Sequence, residues 1–392
     1  MIDVHITVSG PDHPGITAKL TQKIHEHQEE ILDMGQAVTH GLLSLSMVLR
    51  LKAETTEQSQ LLKDMLFDVQ NMGLTLTFQE LKKNDSYAEE MEGEKFILNC
   101  VSTTNLTASF VNEVAELFAK SKINILRIDN VNPKNFEILE IATTVPPFFD
   151  LTQVKAELLN ISNKHEVDIA FLKDNVFRRS KRLIVFDMDS TLIKTEVIDE
   201  IAELCGIGEK VKAITESAMN GEIDFDQSLT QRVGLLEGLE TSKLDSIIEN
   251  LPYTPGVREF IQTVKKLGYK VAIISGGFTY FANAIKDELG IDYAFANELE
   301  MHEGKLTGKV KGAIVNAEQK ETILRLIAQQ EQISLEQVVA IGDGANDLPM
   351  LSAAGLGIAF HAKQIVREKA SNQLSHGPMT SILHFLGIPG VI

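Results

Sequence analysis

The sequence predicts an α/β protein in which two small ferredoxin-like (βαββαβ) units precede a doubly wound domain with a parallel sheet and a helical cap. Three observations carry this. The order strand, helix, strand, strand, helix, strand occurs twice in tandem between residues 1 and 174. From Arg178 onward strands alternate with helices. Between the first and second strands of that half lies a stretch of about 58 residues, 196–253, helical in pattern and far longer than an ordinary crossover.

In the first copy, residues 2–8 are β-like, Ile16, Leu20 and Ile24 recur at helical spacing, and 31–37 and 42–51 are extended. Residues 61–69 then carry helical spacing, and 74–78 alternate apolar residues with Thr. A polar, acidic segment, 82–94, reads as a linker. The second copy offers strands at 96–101, 123–128, 136–144 and 167–172 with helices at 108–119 and 151–159. These assignments give domains at 1–82, 95–174 and 181–392, the last carrying a cap at 197–253.

The first copy opens with VSGPDHPGIT, which places Gly10, Asp12 and Gly15 in the turn from first strand to first helix. Tandem units with such a turn resemble the ACT family of small-molecule-binding regulatory domains. The resemblance implies an amino-acid effector such as L-serine at Gly10, Asp12 and Gly15, and a homodimer formed through the sheets. Glycine lets a ligand approach the backbone, and a helix N-terminus favours a carboxylate. Turn glycines in a packing and dimerisation module would look the same, and His13 in this turn reads as a surface residue. The second copy has Asn105 and Ala108 where the first has Asp12 and Gly15, which favours packing over binding there.

Composition narrows the function classes. With 44% hydrophobic and 23% charged residues the chain is an ordinary globular protein, and its formal charge of -18 argues against nucleic acid or an anionic membrane as partner. No apolar run approaches the roughly 20 residues of a membrane span, and MIDVHITVSG lacks the layout of a signal peptide, so a cytoplasmic location is expected. Two isolated cysteines, Cys100 and Cys205, suit buried thiols better than disulfides or a zinc site.

The chemistry is concentrated at strand ends. LIVFDMDSTLI, at 183–193, runs from an apolar strand into Asp187 and Asp189. Two buried carboxylates that close are costly unless a cation lies between them or one is protonated. Further strands at 270–274, 293–296, 338–341 and 357–360 add Ser275, Gly276 and Gly277 after one, and Asp343, Asn346 and Asp347 after another. Lys320 lies near the start of an amphipathic run that begins at Glu318. In an open α/β sheet such strand ends face one crevice. Each segment alone has an ordinary reading as a turn, a helix cap or a solvated lysine; together they indicate phosphoryl transfer.

FDMDSTLI, SGGF, Lys320 and GDGANDLPM resemble the four motifs of the haloacid dehalogenase (HAD) superfamily of phosphatases, and the spacing and cap are similar to those of phosphoserine phosphatases. That resemblance implies Asp187 as nucleophile and Asp189 as acid and base. It implies Mg2+ on Asp187, Asp343 and the carbonyl of Asp189, with Asp347 as ligand or close neighbour. Ser275, Gly276, Gly277, Lys320 and Asn346 would serve the phosphoryl group. In the cap region Glu196 would take a substrate ammonium, Arg232 its carboxylate, and Met219 and Phe225 would shield the site. The implied reaction is hydrolysis of O-phospho-L-serine to L-serine and phosphate, the last step of L-serine biosynthesis. Phosphotransfer to another alcohol, hydrolysis of another small phosphomonoester, and an amino-acid sensor with a vestigial catalytic half are the alternatives.

Overall fold

The computed structural model describes residues 1–81, 93–132, 134–219, 222–370 and 372–391, with the side chain of Met219 outside that description. Most of the linker expected at 82–94 therefore lies outside the described residues. The chain parts into two compact units, Met1–Met91 and Glu92–Ile392.

In the first unit, strands β1 (Ile2–Pro11), β2 (Glu30–Thr39), β3 (Leu42–Leu51) and β4 (Thr75–Leu81) form one antiparallel sheet in the order β2-β3-β1-β4. Helices α1 (Ile16–Glu26) and α2 (Gln60–Asn71) complete the expected βαββαβ order. Alternation explains the packing, since Val4, Ile6 and Val8 on β1 meet Leu45, Met47 and Leu49 on β3, with Leu20, Ile24, Leu62 and Met65 closing the core from the helices. Strand β2 contributes no buried residue to it.

The second unit opens with β5 (Glu94–Val101), α3 (Ala108–Lys120), β6 (Asn124–Asn130), β7 (Ile138–Val145), α4 (Thr152–His165) and β8 (Asp168–Lys173). The sheet order, β6-β7-β5-β8, repeats that of the first unit. Thr107 caps α3 by accepting the Phe110 N–H at 3.2 Å, and Asn105 accepts the Phe136 N–H at 3.0 Å. Both side chains in this turn thus hold local backbone groups.

The remainder of this unit is built on β9 (Leu183–Phe186), which is followed by four cap helices, α5 (Val197–Leu204), α6 (Gly208–Met219), α7 (Phe225–Gly234) and α8 (Ser242–Ile248). Then come α9 (Val257–Lys266), β10 (Lys270–Phe278), α10 (Thr279–Leu289), β11 (Tyr293–His302), β12 (Lys305–Lys311) and α11 (Ala317–Gln330). The chain ends with β13 (Val338–Gly342), α12 (Leu348–Ala353), β14 (Leu356–Phe360), α13 (Gln364–Lys369), β15 (Gln373–Leu374) and α14 (Ile382–Phe385). The seven strands lie in the order β12-β11-β10-β9-β13-β14-β15, with β9 central. Its LIVF run is buried on both faces, as a parallel strand between two helix layers must be.

The strand boundaries differ from the sequence reading in two informative places. Strand β12 pairs antiparallel with β11, so the sheet is parallel except at one edge. The turn between them, Glu303 and Gly304, has both residues at positive φ, the geometry of a tight hairpin, but Glu-Gly is a weaker signal than Asn-Gly. Strand β10 also continues through Ser275, Gly276 and Gly277 instead of ending before them, with its register on β11 shifting between Ile274 and Phe278.

Within the second unit, β8 and the C-terminal segment are joined by one buried carboxylate. Asp168 accepts the N–H groups of Ser375 at 2.5 Å, His376 at 3.1 Å and Gly377 at 2.7 Å. Asp168→Ala would strand these donors, so the variant should lose about 3 kcal/mol of stability, read from the midpoint of a urea titration. Asp168→Asn, which keeps one acceptor oxygen, should lose less.

Candidate active site

The aspartates are placed by the central strand. Asp187 follows β9 directly and its N–H donates to the Ile341 carbonyl on β13 at 2.9 Å, which sets it against the end of the neighbouring strand. Ser190, two residues beyond Met188, has φ 55°, a left-handed turn that folds the chain back so that the Val197 N–H reaches Asp189 Oδ1 at 2.9 Å. Asp343 follows β13, the strand on the other side of Asp187 from β10. The fold therefore brings residues from 187 and 343 to one edge.

Asp187, Asp343 and Asp347 are all buried, and each offers an oxygen within 4.8 Å of the others'. Lys320, fully buried, donates to Asp187 Oδ1 at 2.9 Å and to Asp347 Oδ1 at 2.7 Å. The other Asp347 oxygen accepts the Gly344 N–H at 2.9 Å, and Thr191 donates to Asp343 Oδ1 at 3.1 Å. Burial works against the ammonium of Lys320, but Asp187 and Asp347 overcome it and hold the group charged. One ammonium does not neutralise three carboxylates. Burial, reinforced by Asp347, keeps Asp187 well above the usual carboxylate range and pushes Asp343 to about 7. A set of hard oxygen donors with surplus negative charge fits a divalent cation.

Asp189 is pushed up to about 8, first by burial and next by Glu196. The charged neighbour that acts most on Asp189 is Glu196, whose own Oε1 accepts from Ser190 at 3.0 Å. Ser275, with no exposed surface, stands 3.4 Å from Asp189 Oδ2 and accepts the Gly277 N–H at 2.9 Å. Gly277 cannot carry a side chain here, because a Cβ would lie 2.5 Å from Asp189 Oδ2. Asn297 fixes the adjoining strand by donating to the Gly276 carbonyl at 2.8 Å and accepting the Val315 N–H at 2.8 Å.

These groups surround a cavity of about 470 Å³ roofed by the cap. Asp187, Asp189, Ser275, Gly276, Gly277, Asp343 and Asn346 line its floor, while Glu196, Phe225 and Arg232 line the cap side. Lys320 and Asp347 stand behind the wall, each wholly buried. Arg232 Nε donates to the Ser228 carbonyl at 3.3 Å, and burial lowers the guanidinium's pKa despite Glu196 and Asp199. Met219 ends α6, but its side chain lies outside the described residues.

Over 387 residues the chain is 36% identical to phosphoserine phosphatase SerB2 of Mycobacterium tuberculosis, a match that covers 99% of this chain and 93% of that relative. This chain belongs to the phosphoserine phosphatase family. A family model described as haloacid dehalogenase-like hydrolase matches residues 181–355, and one described as ACT domain matches 3–79. Among solved structures, a haloacid dehalogenase family hydrolase of Salmonella enterica serovar Typhi covers 74% of this chain and 98% of its own, with a TM-score of 0.65 and 32% identity. A phospho-aspartyl intermediate analogue of phosphoserine phosphatase covers 53% of this chain and 99% of its own, with a TM-score of 0.50 and 48% identity.

For a phosphoserine phosphatase site, several wall residues carried no sequence signal. Asn297, Thr215, Ser228 and Lys363 reach the cavity or its supports only through tertiary spacing. A serine or lysine in a helical stretch has no period that sets it apart; Thr191, directly behind the DxDS motif, was the one signal within reach. The ACT turn is simpler. Gly10 and Gly15 have φ 146° and 99°, Asp12 is exposed with its N–H on the Gly41 carbonyl at 2.8 Å, and a Cβ on Gly10 would strike Leu74 at 2.7 Å. Packing alone accounts for Gly10.

The elevated carboxylates set a pH dependence. Asp189 and Asp343 have folded pKa values near 8 and 7, above the unfolded carboxylate value of about 3.9, so the folded state holds their protons longer. Stability of the metal-free protein is therefore fully present near pH 4 and is lost as pH rises toward 8, by at most roughly 1.4 kcal/mol per pH unit per group. Calorimetry in EDTA should show a falling melting temperature over that window, and a divalent cation should flatten it.

Proposed function

We propose that the chain is a Mg2+-dependent, cytoplasmic phosphoserine phosphatase that hydrolyses O-phospho-L-serine to L-serine and phosphate, closing L-serine biosynthesis. The observation that carries this reading is the pairing, across one cavity of about 470 Å³, of the Asp187 and Asp189 floor with Glu196 and Arg232 on the cap side. The floor suits a phosphate ester and the roof a zwitterion, since a carboxylate attracts an ammonium and a guanidinium grips a carboxylate through a planar fork.

In this mechanism an Asp187 oxygen attacks phosphorus and the P–O bond to the seryl oxygen breaks. Asp189, whose carboxyl burial and Glu196 raise to about 8 in the metal-free protein, would give its proton to that departing oxygen. It then takes a proton from water as the water oxygen attacks the aspartyl-phosphate, releasing phosphate and restoring Asp187. The phospho-aspartyl analogue among the relatives supports such an intermediate. Asp187, Asp343, the Asp189 carbonyl and Asp347 would hold Mg2+, which when bound supplies positive charge against the phosphoryl oxygens. Ser275 and the Gly276 amide, with Gly277 allowing close approach, would hold those oxygens, and Asn346 would donate from the side. Lys320 acts through Asp187, keeping charge balanced as phosphorus is approached. Met219 and Phe225 would keep water from the substrate.

Phosphate release across a panel of phosphomonoesters tests the reading. Phosphoserine should turn over fastest and only with Mg2+, Asp187→Asn should cost roughly 10⁴-fold or more, and Arg232→Ala should lower kcat/KM about 100-fold. A sugar phosphate hydrolysed faster than phosphoserine would defeat the substrate assignment.

Regulation is the second part of the proposal: L-serine as effector at Gly10, Asp12 and Gly15, in a homodimer joined through the ACT-like sheets. Titrating L-serine against the full-length enzyme should inhibit it, and Asp12→Ala should weaken that inhibition while leaving uninhibited turnover unchanged. Light scattering should give twice the 43.3 kDa chain mass; a strict monomer refutes the dimer.

A further inference from the structure

A second cavity, of about 540 Å³, lies in the second unit between the βαββαβ sheet and the C-terminal part of the phosphatase half. Helix α4 and strand β8 form one side, and α13 with the start of β15 forms the other. We infer that this cavity binds a small carboxylate that also carries an α-hydroxyl or α-ammonium group. The inference does not depend on which phosphate ester the enzyme hydrolyses.

Two sets of unmet groups define the ligand. Lys155, Arg367 and Lys369 line the cavity against a single acid, Glu368, a local cationic excess in a chain whose formal charge is -18. Burial depresses the Lys155 amine, and Arg367 has a buried Nε with no partner although its Nη1 donates to Asn163 at 3.3 Å. An anion relieves both. The second set consists of acceptors. Gln373, 4% exposed, donates through Nε2 to Ser162 at 2.9 Å and leaves Oε1 buried without a partner. Asn372, 7% exposed, donates through Nδ2 to the Gly357 carbonyl at 3.2 Å and leaves Oδ1 in the same condition.

Buried carbonyl oxygens in this state require donors, and each one left unmet costs about 1–3 kcal/mol. A bare anion such as phosphate dianion would satisfy the cations and repel the amide oxygens. A molecule with a carboxylate at one end and a hydroxyl or ammonium beside it satisfies both sets. Leu158, Ile169 and Phe171 on the remaining wall leave room for a short apolar side chain but offer it no polar partner.

The position gives such a ligand a route to the catalytic cavity. Helix α13 is six residues long, roughly 9 Å, with Arg367 on the junction cavity and its N-cap residue, Lys363, on the active-site wall. Ordering Arg367 around an anion fixes the helix that presents Lys363.

The test uses the full-length chain carrying Arg232→Ala, which removes the active-site cation that would otherwise hold a carboxylate. Isothermal titration with L-serine and, separately, with D-glycerate should show a saturable binding event for at least one, and the comparison decides between ammonium and hydroxyl. Adding Lys155→Ala with Lys369→Ala should weaken that event ten-fold or more, and Arg367→Gln alone should weaken it in the same direction, with melting temperatures unchanged. If neither probe binds at millimolar concentration, or if the added substitutions leave every binding event intact, the inference is wrong. Because turnover is not measured, failure here leaves the substrate assignment untouched, and the reverse also holds.

Discussion

A fully buried ammonium between two buried carboxylates is the constraint around which the catalytic half is arranged. Removing Lys320 from water is costly, and only close, well-aligned oxygens on both sides make it tolerable. Asp187 provides them directly after β9, and Asp347 from the helical turn that follows the neighbouring strand β13. The lysine is placed in turn by the first turn of α11, where Asn316 caps the helix by accepting the Gln319 N–H at 3.2 Å. The same Asn316 amide donates to Asp226 at 3.3 Å, and Asp226 belongs to α7, the cap helix that carries Phe225 and Arg232. One asparagine thus ties the residues that hold charge at the floor to the helix that holds the roof.

This arrangement also explains why the two aspartates of the DxD motif differ. Asp187 is held by Lys320, while Asp189 has no such partner and faces the carboxylate of Glu196. A difference of two positions in sequence becomes a difference in neighbours: burial raises both carboxyls, but Asp187 sits against Lys320 and Asp347, and Asp189 against Glu196. Neither environment can be read from the motif, because both are set by residues that arrive from other elements.

How much was legible in the sequence follows from that distinction. The βαββαβ repeats were readable because strands such as β1 and β3 alternate, and β9, β13 and β14 because doubly buried parallel strands give continuous apolar runs. That Asp187, Asp189, Ser275, Asp343 and Asn346 would meet in one crevice was readable because polar residues after a strand interrupt such runs abruptly. Strand β12 was missed although Leu306, Gly308 and Val310 alternate with polar residues, because a central glycine weakens the pattern and no strong turn dipeptide precedes it. The extension of β10 through Ser275–Gly277 was missed because glycines normally end strands; here they remain in the ladder so that Asp189 can approach. Glu196 acting on Asp189, and Thr191 on Asp343, depend on distances no linear pattern encodes.

The buried Asp168 bears on what counts as a separable module. Its carboxylate belongs to β8 of the second repeat, yet the amides it satisfies belong to the last twenty residues of the phosphatase half. A chain cut before residue 181 would keep every side chain that lines the catalytic cavity and still expose three inward-facing amides at 375–377. The second repeat is therefore also a piece of the enzyme's scaffold, and a shortened enzyme needs a replacement acceptor at that seam before its kinetics can be compared with those of the whole.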